Sequence, residues 1–523
     1  MSSFFTLPGS AKRKRADATG NKSKKIRSTD APASSAKQSR KSRDEDEISS
    51  ELEDDDAAPR GSDDEDEDEE LSKETAAEKR LRLAQQYLDN IREEVDDGGF
   101  DAAEIDRDLI AERLKEDVAA EKGRLYRFIA DDFSFNNATS TLFRMDSRAT
   151  TGIAVCDPYI YTVTSDRYLI KWKLPAYPPP PATANKIPGR KPKRVRYARV
   201  GRKGDQYFEG HTQEIICVAA SEDGKFVVTG GRDNKLIVWN AETLTILKVF
   251  KQHRAAVTGL TFRRGTNELY SSSADRTVKL WSLNELAYVD TLFGHQDEVV
   301  DIAALSGERC VTVGARDRTA RLWKIVDETQ LVFRGGGGSD GKPRQNKDGS
   351  IRHEEGSLDV VAMIDEEHFV TGSDNGNLSL WTVHKKKPIH TIPLSHGLAS
   401  PPLPEKSSAE IDPPQEPSCP PQPRYVTALA IIPYANLIFS GSWDGVIRVW
   451  KVTPDKKKIE AVGTICGEDS VRGVVNGIAV YERGEKDDAE IVVCVGTGKV
   501  MRLGKWLQVS GRNGGYVMEV KKK

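Results

Sequence analysis

Four histidines in this chain are each followed by a tryptophan 28 residues later: His211 by Trp239, His253 by Trp281, His295 by Trp323 and His353 by Trp381. Standing 22 residues after each His is Asp233, Asp275, Asp317 or Asn375. The aspartates recur every 42 residues, and a fixed period of that size marks an array of small, similar units. A unit of about forty residues holds one four-stranded sheet, which buries both faces only between copies of itself. The spacing therefore predicts an all-β chain folded as a seven-bladed β-propeller. Trp172, Trp239, Trp281, Trp323, Trp381, Trp450 and Trp506 count its blades.

The repeat is of the WD type, and its recurring polar residues read as a buried network. In each blade the Asp, in the turn between the second and third strands, accepts from the His of the incoming loop. A hydroxyl four positions before the Asp braces that His and reaches the Trp indole N–H. Blade 2 carries the full set in His211, Thr229, Asp233 and Trp239, and blade 3 in His253, Ser271, Asp275 and Trp281. Buried polar groups persist when each finds a partner, so the set is expected to act as a unit. Other copies depart from it. Blade 4 (His295, Asp317, Trp323) has Val313 at the hydroxyl position. Blade 5 has Asn375 for the Asp, blade 6 has Gln422 where the His belongs, and blade 1 has Arg144 there. The last copy, Gly496 to Trp506, has no Asp. The ring closes only if some outside strand completes that blade, since an open edge would remain otherwise. Residues 138–143 are expected to supply it, with Val517 to Val520 as competitor.

Ser, His and Asp recurring in every unit are scaffold; a catalytic constellation is used once, at one mouth. The six cysteines are scattered singly without CxxC or His/Cys ligand spacing, which predicts no zinc site. The glycines at 335–338 are not followed by the lysine of a phosphate-cradling loop. We expect no catalytic residues, metal, cofactor, small-molecule substrate or membrane partner.

The net charge of −3 conceals segregation. Residues 1–72 begin basic and turn acidic, with too little apolar content to build a core. Lys12, Arg13, Lys14 and Arg15, then Lys24, Lys25 and Arg27, form two clusters read as a bipartite nuclear import signal. Over 73–130 apolar residues at helical spacing (Tyr87, Leu88, Ile91; then Ile105, Leu109, Leu114, Val118) predict a helical segment before the propeller. The propeller is expected over 131–510, followed by a tail at 511–523.

Three insertions break the repeat. Residues 175–204, after Trp172, fall between third and fourth strands on the bottom rim; they carry Arg190, Lys191, Lys193, Arg194, Arg196 and Arg199 without one acid, a secondary basic patch. Residues 335–352, with Arg344, Lys347 and Arg352, and the Pro-rich 397–423 belong to the top face. The position before the turn Asp also projects from the top: Arg232 in blade 2, Arg316 in blade 4 and Trp443 in blade 6. With Arg254 beside His253, these residues form a candidate phosphate-binding rim, on which Trp443 is placed either to stack on a base or simply to fill the top opening.

The stretches Leu260 to Thr266, Leu269-Tyr270-Ser271 and Thr291 to Asp297 resemble the WD-repeat protein of the U3 small nucleolar ribonucleoprotein. So do Gln330 to Phe333, Glu366-Glu367-His368, Arg502 to Trp506 and, upstream, Arg113 to Val118 with Gly123-Arg124-Leu125. The likeness spans most of residues 80–510 and implies a nuclear, nucleolar, non-catalytic assembly factor. It further implies joint binding of the box B/C region of U3 small nucleolar RNA with the kink-turn-binding protein. Other box C/D ribonucleoprotein and small-subunit processome proteins would be its neighbours in pre-rRNA processing. The family offers no short RNA-binding motif to carry over, so the contact residues rest on charge and blade geometry. The alternative is a protein-binding propeller such as a histone-recognising chromatin subunit.

Overall fold

Each inner strand reads as a short, nearly continuous apolar run because the strand is covered on both faces. Leu236-Ile237-Val238-Trp239 is buried throughout, and such runs favour strands rich in β-branched and aromatic residues. A computed structural model describes residues 113–114, 117–118, 124–144, 148–177, 191–199, 209–335, 356–400, 421–467, 471–484, 489–504 and 507–523. Of the chain's two units, Met1–Asn90 and Ile91–Lys523, all of these belong to the second.

Among the described residues 28 strands form seven four-stranded sheets. An isolated first strand in sequence, β1 (Thr139–Phe143), precedes blade 1: β2 (Thr150–Cys156), β3 (Tyr159–Thr164), β4 (Tyr168–Lys173) and β5 (Lys193–Arg199). Blade 2 is β6 (Ile215–Ala220), β7 (Phe226–Gly231), β8 (Leu236–Asn240) and β9 (Ile246–Phe250). Blade 3 is β10 (Val257–Phe262), β11 (Glu268–Ser273), β12 (Thr277–Ser282) and β13 (Ala287–Phe293). Blade 4 is β14 (Val299–Ala304), β15 (Arg309–Gly314), β16 (Thr319–Lys324) and β17 (Thr329–Arg334). Blade 5 is β18 (Leu358–Met363), β19 (His368–Ser373), β20 (Leu378–Thr382) and the short β21 (His390–Ile392). Blade 6 is β22 (Val426–Ile431), β23 (Leu437–Ser442), β24 (Ile447–Val452) and β25 (Ile459–Thr464). Blade 7 is β26 (Val474–Arg483), β27 (Glu490–Gly498) and β28 (Gly514–Lys521), completed by β1.

That last sheet closes the ring. β1 lies antiparallel on β28, Thr141 opposite Val517, so the N-terminal strand is the outer one and Val517 to Val520 the third. Two expectations are corrected here. Residues 514–521 are a blade strand, not a tail, and the third strand of blade 7 is not the stretch leading to Trp506, which itself lies outside the described residues. The reason is local: fifteen residues separate Gly498, the end of β27, from Gly514, the start of β28, so the blade resumes far beyond the usual four-residue turn. Closure is apolar, with Phe143, Val492, Cys494 and Val517 of blade 7 buried against Ile153, Ile160, Ile170 and Trp172 of blade 1.

The segment entering β1 is also unlike its expected form. Arg113, Leu114, Asp117 and Val118 are helical, but residues 124–135 run as non-helical chain beneath blades 6 and 7. Arg127 bridges Ala435, Asn436 Oδ1 accepts the amides of Ile129 and Ala130, and Phe133 and Phe135 enter the core shared by those blades. The basic clusters, the acidic run and the helical pattern over residues 84–109 lie outside the described residues.

Candidate nucleic-acid interface

The polar network fixes the shape of the face that carries the candidate residues. In blade 2, His211 Nδ1 lies 2.9 Å from Asp233, His211 Nε2 lies 2.8 Å from Thr229 Oγ1, and the Trp239 indole N–H donates to the same hydroxyl at 2.9 Å. Blade 3 repeats this with His253, Asp275, Ser271 and Trp281 at 2.9, 2.8 and 2.8 Å. A carboxylate only accepts and an indole only donates. Every proton between them is thereby assigned: Nδ1–H donates to Asp, the hydroxyl donates to Nε2 and accepts from Trp. Burial alone would raise the Asp275 carboxyl, but His253, Thr277 and the Arg254 amide hold it below the usual range. Burial holds His253 and His396 below the usual imidazole range against the pull of Asp275 and Asp444.

Two imperfect blades turn out to be complete. In blade 4 the hydroxyl is Thr312, 2.8 Å from both His295 Nε2 and the Trp323 indole nitrogen, rather than a gap at Val313. Its hairpin is one residue shorter before β15 and its turn one residue longer after it, so Thr312 pairs with Ile302 as Thr229 pairs with Val218. In blade 6 the imidazole is His396, not a missing group at Gln422: it stands 2.9 Å from Ser440 Oγ and 3.3 Å from Asp444. The Pro-rich insertion begins directly after His396 and so separates it from its blade in sequence only. In blade 1, Asp166 pairs with Arg148 at 3.1 Å, not with Arg144. Blade 5 keeps Trp381 on Thr371 at 2.9 Å, and Asn375 accepts from Ser373 and the Asn377 amide; His353 is outside the described residues.

Each network anchors a turn on the top face. Arg232, Arg254 and Arg316 are all exposed there. Arg232 donates to the Leu503 carbonyl at 3.1 Å and stands 3.6 Å from Glu214. The Arg254 amide caps Asp275, and its carbonyl accepts from Asn234. The Arg316 amide is held by Asp297, leaving the guanidinium outward. Trp443 is half-buried between Tyr425 (6.4 Å between centroids) and Arg424, whose guanidinium is 5.7 Å from its ring, and its indole N–H has no partner among the described residues. Arg344, Lys347 and Arg352 lie outside the described residues.

Sequence reasoning missed three further arginines, Arg167, Arg276 and Arg318, each directly after a turn Asp. They adopt φ of 68°, 70° and 53°, where a side chain costs about 1–2 kcal/mol relative to glycine. Blades 5 and 6 place Gly376 and Gly445 at this point, and blade 2 places Asn234. The signal was available as the residue after each Asp, but turn chemistry predicts Gly or Asn there. Together these residues make a cationic arc over the top of blades 1 to 4. Blade 5 presents Asp374 instead.

The chain itself reaches into the central opening. Arg502, from the chain between β27 and β28, enters a channel lined by the innermost strands of all seven blades. Its amide donates to Asn476, its Nη1 to the Thr258 carbonyl at 3.3 Å, and its Nη2 lies 4.0 Å from Asp301. Burial raises the Asp301 carboxyl even beside this guanidinium. Burial, with Asp374 adding, pushes Asp359 up to about 6.

The basic insertion is corrected as well. Lys193 to Arg199 is not a bottom loop; it is β5, the outer strand of blade 1, with Lys173 opposite Lys193 and Trp172 opposite Arg194. Lys191, Lys193, Arg194 and Arg196 are exposed, and Arg190 lies outside the described residues. Among the described residues no cluster of His, Cys, Asp and Glu could hold a metal ion.

The family model of the WD domain, G-beta repeat, matches residues 204–240, 244–282, 287–324 and 418–451. Ribosomal RNA-processing protein 9 of Saccharomyces cerevisiae is 36% identical over 530 residues, spanning 86% of this chain and 89% of that one. U3 small nucleolar RNA-interacting protein 2 of Homo sapiens is 36% identical over 440 residues, spanning 84% and 80%. The solved structure of U3-55K superposes with a TM-score of 0.57 at 31% identity, over 72% of this chain and 98% of that chain.

Proposed function

This chain belongs to the WD-repeat protein family of the U3 small nucleolar ribonucleoprotein, and from that premise we propose that it binds the box B/C region of the U3 RNA jointly with the kink-turn-binding protein. It is a non-enzymatic WD-repeat component of rRNA processing. In the proposal its address is the nucleolus, and other box C/D ribonucleoprotein and small-subunit processome proteins are its neighbours.

The observation that carries this reading is the cationic arc of Arg167, Arg232, Arg254, Arg276, Arg316 and Arg318. Three of its members keep an arginine where the backbone favours glycine. Guanidinium groups spread over a rigid, curved surface suit the phosphates of a folded RNA, whose shape rather than base sequence is then read. Trp443 beside Arg424 offers a ring edge to an unstacked base at the far side of the same face. With Arg502 reaching into the channel, the proposed contact is with the face and its rim rather than the hole.

Crosslinking in living cells, with sequencing of the RNA attached to this chain, tests the proposal. Recovery of U3 RNA with crosslinks clustered around box B/C is the expected result. Recovery of histones without small nucleolar RNA would replace this reading with that of a chromatin subunit.

A further inference from the structure

A second cationic cluster lies at the seam where blade 7 meets blade 1. A groove of about 520 Å³ opens there, lined by Leu142, Phe143, Trp172, Pro192 and three cations, Arg144, Lys191 and Arg512. Among the described residues no acidic side chain lines it, all three cations are exposed, and no described carboxylate pairs with any of them. Its apolar floor is rigid: Phe143 and Trp172 are buried and meet edge to face at 4.9 Å.

The groove continues into β5. Along this strand Lys193, Arg194, Arg196 and Tyr197 are all exposed, and the Arg194 guanidinium lies 5.3 Å from the Tyr197 ring. Pairing with β4 sets Lys193 directly opposite Lys173 and Arg196 opposite Lys171. Like charges facing each other across a strand pair destabilise the sheet. Arg196 spends one hydrogen bond on the Thr243 carbonyl at 2.9 Å, and Lys171 one on the Ala241 carbonyl at 2.8 Å, neither of which neutralises charge. The Lys171–Arg196 pair is thus turned toward blade 2, whereas Arg194 and Tyr197, opposite Trp172 and Ile170, lie on the side of the sheet that faces blade 7 and the groove.

Resting on the RNA-binding reading above, we infer that this seam groove and β5 form a second track that holds single-stranded RNA, with a nucleotide seated among Arg144, Lys191 and Arg512. From Lys191 to Tyr197 the chain advances roughly 20 Å at about 3.3 Å per residue, long enough to follow several phosphates. Cations alternating with an exposed aromatic ring are the arrangement that grips a single strand through its backbone and bases. An acidic peptide would use the cations and leave Tyr197 idle.

The test is fluorescence anisotropy of the full chain with a labelled oligouridylate at several salt concentrations. The triple variant Arg144→Gln/Lys191→Gln/Arg512→Gln should bind at least tenfold more weakly. Its log Kd against log salt should be shallower by about 2, since each single-strand phosphate contact contributes about 0.7. Tyr197→Ala, which leaves all charges in place, should weaken binding by a further severalfold. Unchanged affinity and slope in the triple variant, no oligouridylate binding by the wild type, or tighter binding of an oligoglutamate peptide would each overturn the inference. Assembly with U3 RNA and its kink-turn protein, measured in parallel, separates the two readings. Failure of the wild type to assemble while it still binds oligouridylate strikes the proposed function and supports the groove.

Discussion

His396 and Asp444 are 48 residues apart in the chain and 3.3 Å apart in space. The imidazole completes the blade 6 network across an intervening Pro-rich insertion, with Ser440 and Trp450 as its other members. Removing it leaves the buried Ser440 hydroxyl without its acceptor, at about 1–3 kcal/mol for an unsatisfied group, and takes one donor from Asp444, which keeps the Val446 amide and Arg424. His396→Ala is therefore expected to lower unfolding free energy by roughly 2–4 kcal/mol in urea titration. Gln422→Ala, at an exposed residue, should stay within about 0.5 kcal/mol of the wild type.

Thr312 joins His295 to Trp323 in the blade whose register is shifted by one residue. Thr312→Val keeps the volume and removes both bonds. A loss of roughly 2 kcal/mol is expected by the same titration, because the indole N–H of Trp323 is left buried and unpaired. A neutral Thr312→Val would mean that the network is not assembled in blade 4.

Deleting residues 514–523 removes the strand that lies between β1 and β27. Val493, Val495 and the inner edge of β1 lose their cover, and the ring loses its closure. Thermal unfolding followed by circular dichroism should lose its cooperative transition. If these residues were a tail, the transition would be unchanged.

Acid and neutral pH should act in opposite senses on two buried groups. Asp359 sits at about 6, above the unfolded carboxylate value, because of burial and the neighbouring Asp374. Its protonated form stabilises the fold below about pH 4, and that contribution is lost as pH rises through 6. Asp359→Asn is thus expected to stabilise the protein at pH 7.5, by on the order of 1–3 kcal/mol, and to leave it unchanged at pH 4. His253 runs the other way: burial lowers it below its unfolded value, so acidification through about pH 6.5 protonates the unfolded state first and reduces stability. Urea midpoints across pH 4 to 8 for the wild type and Asp359→Asn separate the two.

Much of the fold was legible because the His–Asp–Trp spacing is a geometric requirement of one blade. Where that spacing was intact, as in blades 2 and 3, every network member was named from sequence and stands within bonding distance. It failed where chain length was added without moving the bond. His396 lies beyond an insertion, Thr312 sits across a shifted hairpin, and β28 begins fifteen residues past the end of β27. The strand β5 hid because an outer strand needs little apolar content, so Lys193 to Arg199 reads as a charged loop. On the top face the position before each Asp led to Arg232, Arg316 and Trp443, whereas Arg167, Arg276 and Arg318 were passed over because their left-handed backbone argues for glycine.

The most direct test of the top-face interface is the affinity of the full chain for a preassembled complex of box B/C RNA with its kink-turn protein. It should be measured at several salt concentrations for the wild type and for Arg232→Glu/Arg254→Glu/Arg316→Glu. Reversing three guanidinium groups should weaken binding at least a hundredfold and flatten its salt dependence. A folded triple variant that binds with wild-type affinity and slope would contradict the assignment of this face to RNA.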